Sequence, residues 1–147
     1  TKPSGGWSNT TETAKLTASD AQEKDSFGRS VAVSGDKIMI GTYKNDNGTY
    51  SGAVYTYRKP SGDWENATES GKLLPVLYEN NNNTEFGKAI AMDGNYAVVG
   101  SSYMKDGCVY VLHYDGTSWK NIARLMMNSN LDSAIGFSFG SSVGISG

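Results

Sequence analysis

The sequence predicts an all-β fold built from stacked, four-stranded antiparallel sheets, and three observations predict it. Short β-branched and aromatic runs alternate with Gly, Asn, Asp and Ser, the pattern of many short strands joined by turns. Long stretches of helical apolar periodicity are absent. Finally, the chain repeats itself: Trp7, Trp64 and Trp119 recur at a spacing of 55 to 57 residues, and the segments between them match in register.

Composition sets the bounds within which this repeat operates. A chain of 147 residues allows one domain or a little less. Its 37% hydrophobic content supplies a packed core and excludes a disordered chain. The longest apolar runs, such as Ile38-Met39-Ile40 and Ala97-Val98-Val99, are strand-sized, so no membrane insertion is expected. A net charge of −2 argues against nucleic acid, which needs a basic face. One cysteine, Cys108, excludes an internal disulfide framework and a cysteine-based zinc site. One histidine, His113, excludes sites built from several imidazoles. The opening Thr1-Lys2-Pro3-Ser4-Gly5-Gly6 carries no apolar leader, but a mature or excised piece looks the same.

The elements follow in order. Gly6-Trp7 through Lys15-Leu16 reads as an outer strand over 6–17. Phe27-Gly28 opens an inner strand, which turns at Ser34-Gly35-Asp36 into a second strand containing Ile38-Met39-Ile40-Gly41-Thr42. Gly52-Ala53-Val54-Tyr55-Thr56-Tyr57 is the third strand, and Asp63-Trp64 through Lys72-Leu73 the fourth, closing a unit over 27–74. The same four recur over 86–125. Phe86-Gly87 opens the first, Asp93-Gly94-Asn95 turns it, Gly107-Cys108-Val109-Tyr110 is the third, and Ser118-Trp119 through Arg124-Leu125 is a fourth that is three residues shorter. Phe139-Gly140 starts one more inner strand, over 137–147.

Four antiparallel strands in about 50 residues is the arithmetic of a β-propeller blade. A single sheet leaves a face bare and must stack on a neighbour, which explains central strands that are apolar throughout. A small residue after each Phe suits a crowded inner position. The chain holds about two and a half blades, whereas a closed ring takes roughly four to eight. The missing blades come from the rest of a longer protein or from neighbouring copies, and the first is favoured because an isolated piece leaves edges and apolar faces bare.

Phe27-Gly28, the Gly35-Asp36 turn, Ile40-Gly41-Thr42, Gly52-Ala53-Val54-Tyr55 and Trp64 through Lys72-Leu73 together resemble the FG-GAP repeat, the blade unit of integrin-α-like propellers and of many secreted or surface proteins. The resemblance covers nearly the whole chain. It implies an extracellular or cell-surface protein, and it raises calcium as a cofactor, because such repeats often carry an Asp-rich loop between their first two strands. Here that loop is only Ser34-Gly35-Asp36 or Asp93-Gly94-Asn95, too short for the six to eight oxygens that calcium takes. A second candidate loop holds Asn45, Asp46 and Asn47, with Tyr43 where a first carboxylate would stand. Asn-Gly is foremost a turn signal, so a plain hairpin loop is the competing reading.

Other chemistry finds little footing. The acidic segment Ser19-Asp20-Ala21-Gln22-Glu23-Lys24-Asp25 could supply paired carboxylates for glycoside hydrolysis, but nothing fixes their separation, and a solvated connector accounts for it. His113 ends an alternating strand without a Ser or Asp partner set, and Cys108 aligns with Ala53 as a small buried residue. The tryptophans and the tyrosines Tyr55, Tyr57, Tyr110 and Tyr114 could stack on a sugar, but recurrence at one repeat position favours packing. Four glycosylation sequons begin at Asn9, Asn47, Asn66 and Asn82, all at rim or loop positions. The reading is therefore a non-catalytic extracellular module that binds a protein or glycan ligand through loops on rigid blades. The alternatives are a self-assembling surface protein completed by β-strand addition and a lectin-like propeller.

Overall fold

The computed structural model describes residues 6, 9–42, 51–75, 84–102, 107–126 and 138–147. Ten strands run through them: β1 (Leu16–Thr17), β2 (Ser30–Ser34), β3 (Lys37–Thr42), β4 (Ala53–Arg58), β5 (Ala67–Thr68), β6 (Gly71–Leu73), β7 (Ile90–Asp93), β8 (Tyr96–Ser101), β9 (Cys108–Tyr114) and β10 (Trp119–Met126). They form two four-stranded antiparallel meanders, β2-β3-β4-β6 and β7-β8-β9-β10, plus a short parallel ladder of β1 with β5. No described residue is helical. The two sheets are the propeller blades that the repeat predicts, and they do not close into a ring.

Register explains why the sequence repeats as it does. In the first sheet Val31 faces Ile40 and Ile40 faces Tyr55; in the second Ile90 faces Val99 and Val99 faces Tyr110. Residues directly opposite share a face, so each sheet carries one matching apolar face. The turns match too. Gly35 and Gly94 sit at φ near +59° and +58°, where a side chain is strained, so glycine is required at both hairpins. Ser34 Oγ accepts the Gly94 amide at 2.9 Å, and Asp93 Oδ2 accepts the Gly147 amide at 2.8 Å, the same bond one repeat later.

The main core lies between the sheets. Met39 and Val54 of the first pack against Ala97, Val99, Tyr110 and Leu112 of the second, with Phe86 at the junction. A second cluster covers the first sheet's other face, where Ala18, Leu16, Phe27 and Trp64 pack on Ile40, Tyr55 and Tyr57. The phenylalanines are equivalent: Phe27 meets Tyr55 edge-on at 5.7 Å and Phe86 meets Tyr110 edge-on at 5.0 Å. Val31 and Val33 differ from their counterparts Ile90 and Met92. They are 55% and 61% exposed, whereas Ile90 and Met92 pack under the first sheet.

Three elements depart from the sequence reading. Within 6–17 only β1 is a strand among the described residues, and it pairs in parallel with β5 rather than closing a meander. The fourth strand of the first sheet shrinks to β6. Three extra residues separate Trp64 from Leu73 relative to Trp119 and Leu125, and β5 uses that slack to leave the sheet for β1. The shorter copy runs straight as β10, with one irregularity between Asn121 and Ala123. Of the inner strand expected over 137–147, the described residues 138–147 form no ladder with any described strand.

Candidate functional site

The best-built feature is the seam between the sheets. Phe86-Gly87 lies across the ends of β3 and β4, with Gly52 and Phe86 in a parallel bridge and the Phe86 amide donating to Ser51 O at 3.1 Å. The backbones approach so closely that a Cβ on Gly41 would overlap Gly87 O, and one on Gly52 would overlap Phe86 O. The second seam repeats this. A Cβ on Gly100 would overlap Gly140 O, and one on Gly107 would overlap Phe139 O. The Phe-Gly glycines Gly28, Gly87 and Gly140 share φ between +84° and +89°.

Polar side chains finish the joint. Ser30 Oγ donates to Gly87 O at 2.5 Å, Ser101 Oγ donates to Thr84 O at 2.6 Å, and Thr84 Oγ1 donates to Ser51 O. Glu85 is buried, with Lys88 Nζ at 2.7 Å and the Ser102 hydroxyl donating to it at 2.8 Å. It holds a left-handed φ of 49°, a strained conformation for a non-glycine residue that these partners hold in place. The bonds of Ser30 to Gly87 and of Thr84 to Ser51 cross the seam, while Glu85 and Ser101 are bonded within the second repeat.

On the flank of the two sheets lies a groove with a cavity of about 360 Å³, within the size range of small-molecule sites. Lys37 and Arg58 of the first sheet face it, opposite Tyr114 and Trp119 of the second; Tyr57, Lys72 and Lys120 also border it, but by register their side chains belong to other faces of the sheets. Lys37 and Arg58 stand directly opposite on β3 and β4, and both pair with Asp36, at 3.0 and 2.9 Å. Both also lie over the Tyr114 ring, 5.5 and 6.0 Å from its centre, and Arg58 Nη1 donates to the Tyr114 hydroxyl at 3.5 Å. Tyr114 in turn packs on Trp119 at 5.4 Å. The Arg58 guanidinium first, then Lys37, holds the Asp36 carboxyl well below the usual range, at about 2.

A third polar cluster straps residues 15–20 onto the first sheet. The Tyr55 hydroxyl donates to Asp20 at 2.8 Å, Lys72 pairs with Asp20, and Glu69 accepts from the Ser19 amide and hydroxyl at 2.9 and 2.6 Å. The hydrogen bond from Lys72 lowers the Asp20 pKa. Burial, reinforced by the bond to Asp20, pushes the Tyr55 phenol up to about 12.

The residues singled out from the sequence are placed as follows. Phe27 and Gly28 open the first sheet, Phe86 and Gly87 form the first seam, and Phe139 and Gly140 form the second. Trp64 packs on the first sheet's cluster and Trp119 on the core between the sheets. Trp7, Asn45, Asp46, Asn47 and Asn82 lie outside the described residues. Asn9 and Asn66 are exposed; Asn66 Oδ1 accepts the Lys15 amide at 2.7 Å, which leaves its Nδ2 for a glycan. Of the acidic segment, Asp25 accepts the Gln22 amide within a local turn, and Asp20 belongs to the strap. His113 packs on Tyr96 at 4.8 Å, and Cys108 is buried at the second seam. Among the described residues no three His, Cys, Asp or Glu come together as metal ligands. Sequence reasoning missed the groove cations and the receiving glycines Gly41, Gly52, Gly100 and Gly107. The last four had a signal, since they occupy matching positions in the two copies.

Comparison with known families gives one match. The family model described as FG-GAP repeat matches residues 10–57 and 68–112, more than half of the chain. The second span takes in β6 of the first sheet and most of β7–β9 of the next, so the sequence unit straddles the seam. No curated protein matches the chain.

Proposed function

Because the chain belongs to the FG-GAP repeat family, we propose that it serves as a non-catalytic interaction module on the outside of the cell. The observation that carries this is the duplicated seam. Hydrogen bonds and close glycine contacts are spent on locking one sheet to the next, which yields a stiff frame whose loops are left to meet a partner. Proteins of this family are typically extracellular or displayed at the cell surface. The sequons at Asn9, Asn47, Asn66 and Asn82 fit that setting. The test is the natural protein from its own cells, treated with a peptide N-glycosidase and with protease added to intact cells. Loss of mass and digestion from outside support the reading. A protein that keeps its mass and is shielded from protease overturns it.

A second reading is favoured by the exposed Val31 and Val33. Their counterparts Ile90 and Met92 are covered by a preceding sheet, so a further blade of the same architecture fits here, from the same protein or a neighbouring copy. Light scattering of the full chain decides for a neighbouring copy if a discrete oligomer forms and the Val31→Lys, Val33→Lys double variant reverts to monomer. A monomeric parent chain rules that source out.

A further inference from the structure

We infer that the flank groove between the two sheets is a binding site for an acidic sugar, a hydroxylated ring bearing a carboxylate. The inference rests on the reading of the chain as an interaction module and names a ligand class for it.

Charge supplies the first argument. By register, the charged side chains that face the groove from the first sheet are both cations, Lys37 and Arg58, which stand opposite each other on the face of Met39 and Val54. The carboxylate that holds both, Asp36, is not among the lining residues. In a chain of net charge −2 such a one-sided lining is local, and it selects anions.

Preorganisation supplies the second. Asp36 engages Arg58 through Nε rather than through the outer nitrogens of the fork, and the Tyr114 hydroxyl holds Nη1 at the groove. A carboxylate meets that fork with two parallel hydrogen bonds, and the side-chain entropy of Arg58 has already been spent on Asp36 and Tyr114.

The rest of the lining sets the ring. Tyr114 and Trp119 give apolar surface, while Thr56, Ser70, Thr117 and Ser118 add hydroxyls. A ring with one apolar face and several hydroxyls matches this mixture better than a purely apolar acid or a bare anion does. The walls come from two separate sheets, so the site exists only while the seam is closed.

The experiment is a titration of the ¹⁵N-labelled full chain with D-glucuronate, following the Trp119 indole resonance, with glucose and acetate as controls. The expected result is a saturable shift with glucuronate that weakens as salt is raised and is absent with either control. Arg58→Gln should weaken binding about tenfold or more, the loss expected for a charge-assisted pair. Lys37→Gln removes the second groove cation while keeping a donor for Asp36, so it should weaken binding by a smaller factor, which preserves the test if Arg58→Gln unfolds. No shift with glucuronate, an equal shift with glucose or acetate, or unchanged binding in both variants overturns the inference. The glycosidase and protease outcome is read separately, so a failure here leaves the extracellular module standing.

Discussion

Replacing Gly41 by alanine isolates the seam from every other use of glycine. Gly41 is in the interior of β3 and has no left-handed φ, so alanine meets no backbone strain there. In an open strand position the change would stabilise the fold by about 0.5–1 kcal/mol through lost unfolded-state freedom. Here the added methyl falls on Gly87 O and on Ser30 Oγ, the two atoms that bond each other across the seam. The serine can rotate away, which forfeits its hydrogen bond and costs about 0.5–1.5 kcal/mol. The carbonyl is backbone and can only retreat with its sheet, an overpacking cost of about 1–3 kcal/mol. The net is a loss of about 1–3 kcal/mol, or roughly 3–12 °C in Tm for a chain of this size. Gly62→Ala is the control, because nothing lies within 4 Å of its methyl. Thermal and urea unfolding should show Gly62→Ala at or slightly above the parent and Gly41→Ala well below it, with Gly100→Ala falling alongside by the same mechanism. A Gly41→Ala Tm within about 2 °C of the Gly62→Ala value refutes the close-approach argument.

Three further outcomes follow from the same geometry. Phe86 is 2% exposed where the two sheets meet, so Phe86→Ala should lose about 3–5 kcal/mol in urea unfolding, and a loss under about 1 kcal/mol would remove it from the core. Ser34→Ala should leave Tm almost unchanged but speed hydrogen exchange at the Gly94 amide, which loses its acceptor; unaltered exchange there would deny the bond. The folded pKa of Asp36, about 2, lies below its unfolded value near 4. Its pairing with Arg58 and Lys37 therefore stabilises the fold in full above pH 4 and fades as pH falls toward 2. At a side-chain exposure of 39% that stabilisation is screened to under about 1 kcal/mol. The Tm gap between parent and Asp36→Asn should be present at pH 5 and close by pH 2; a gap constant across that window contradicts the pairing.

Repetition made much of the fold readable in advance. Three copies of Phe-Gly, two of the turn glycine and two of the Ile38–Ile40 and Ala97–Val99 strand centres fix the meander, because each copy confirms the offsets of the others. Where the copies differ in length, the reading stops. Nothing local says that three additional residues after Trp64 will be absorbed by β5 pairing with β1, a partner some fifty residues away. The receiving glycines were visible as repeated letters, but close approach is a relation between two segments, and its meaning came only with the second segment in place. The groove was hidden for the same reason. Lys37 and Arg58 are 21 positions apart and become neighbours through strand register, while Tyr114 and Trp119 arrive from the other sheet.

The hairpin tips have one more consequence. The second tip offers an acceptor on one side, Asp93 to Gly147, and on the other its Gly94 amide donates to Ser34 of the first tip. The coupling has a polarity, like hook and eye, so copies line up only in one sense and never face to face. A copy that carries both fittings, as the second does, lets gene duplication lengthen the array by a whole module without inventing a new connector.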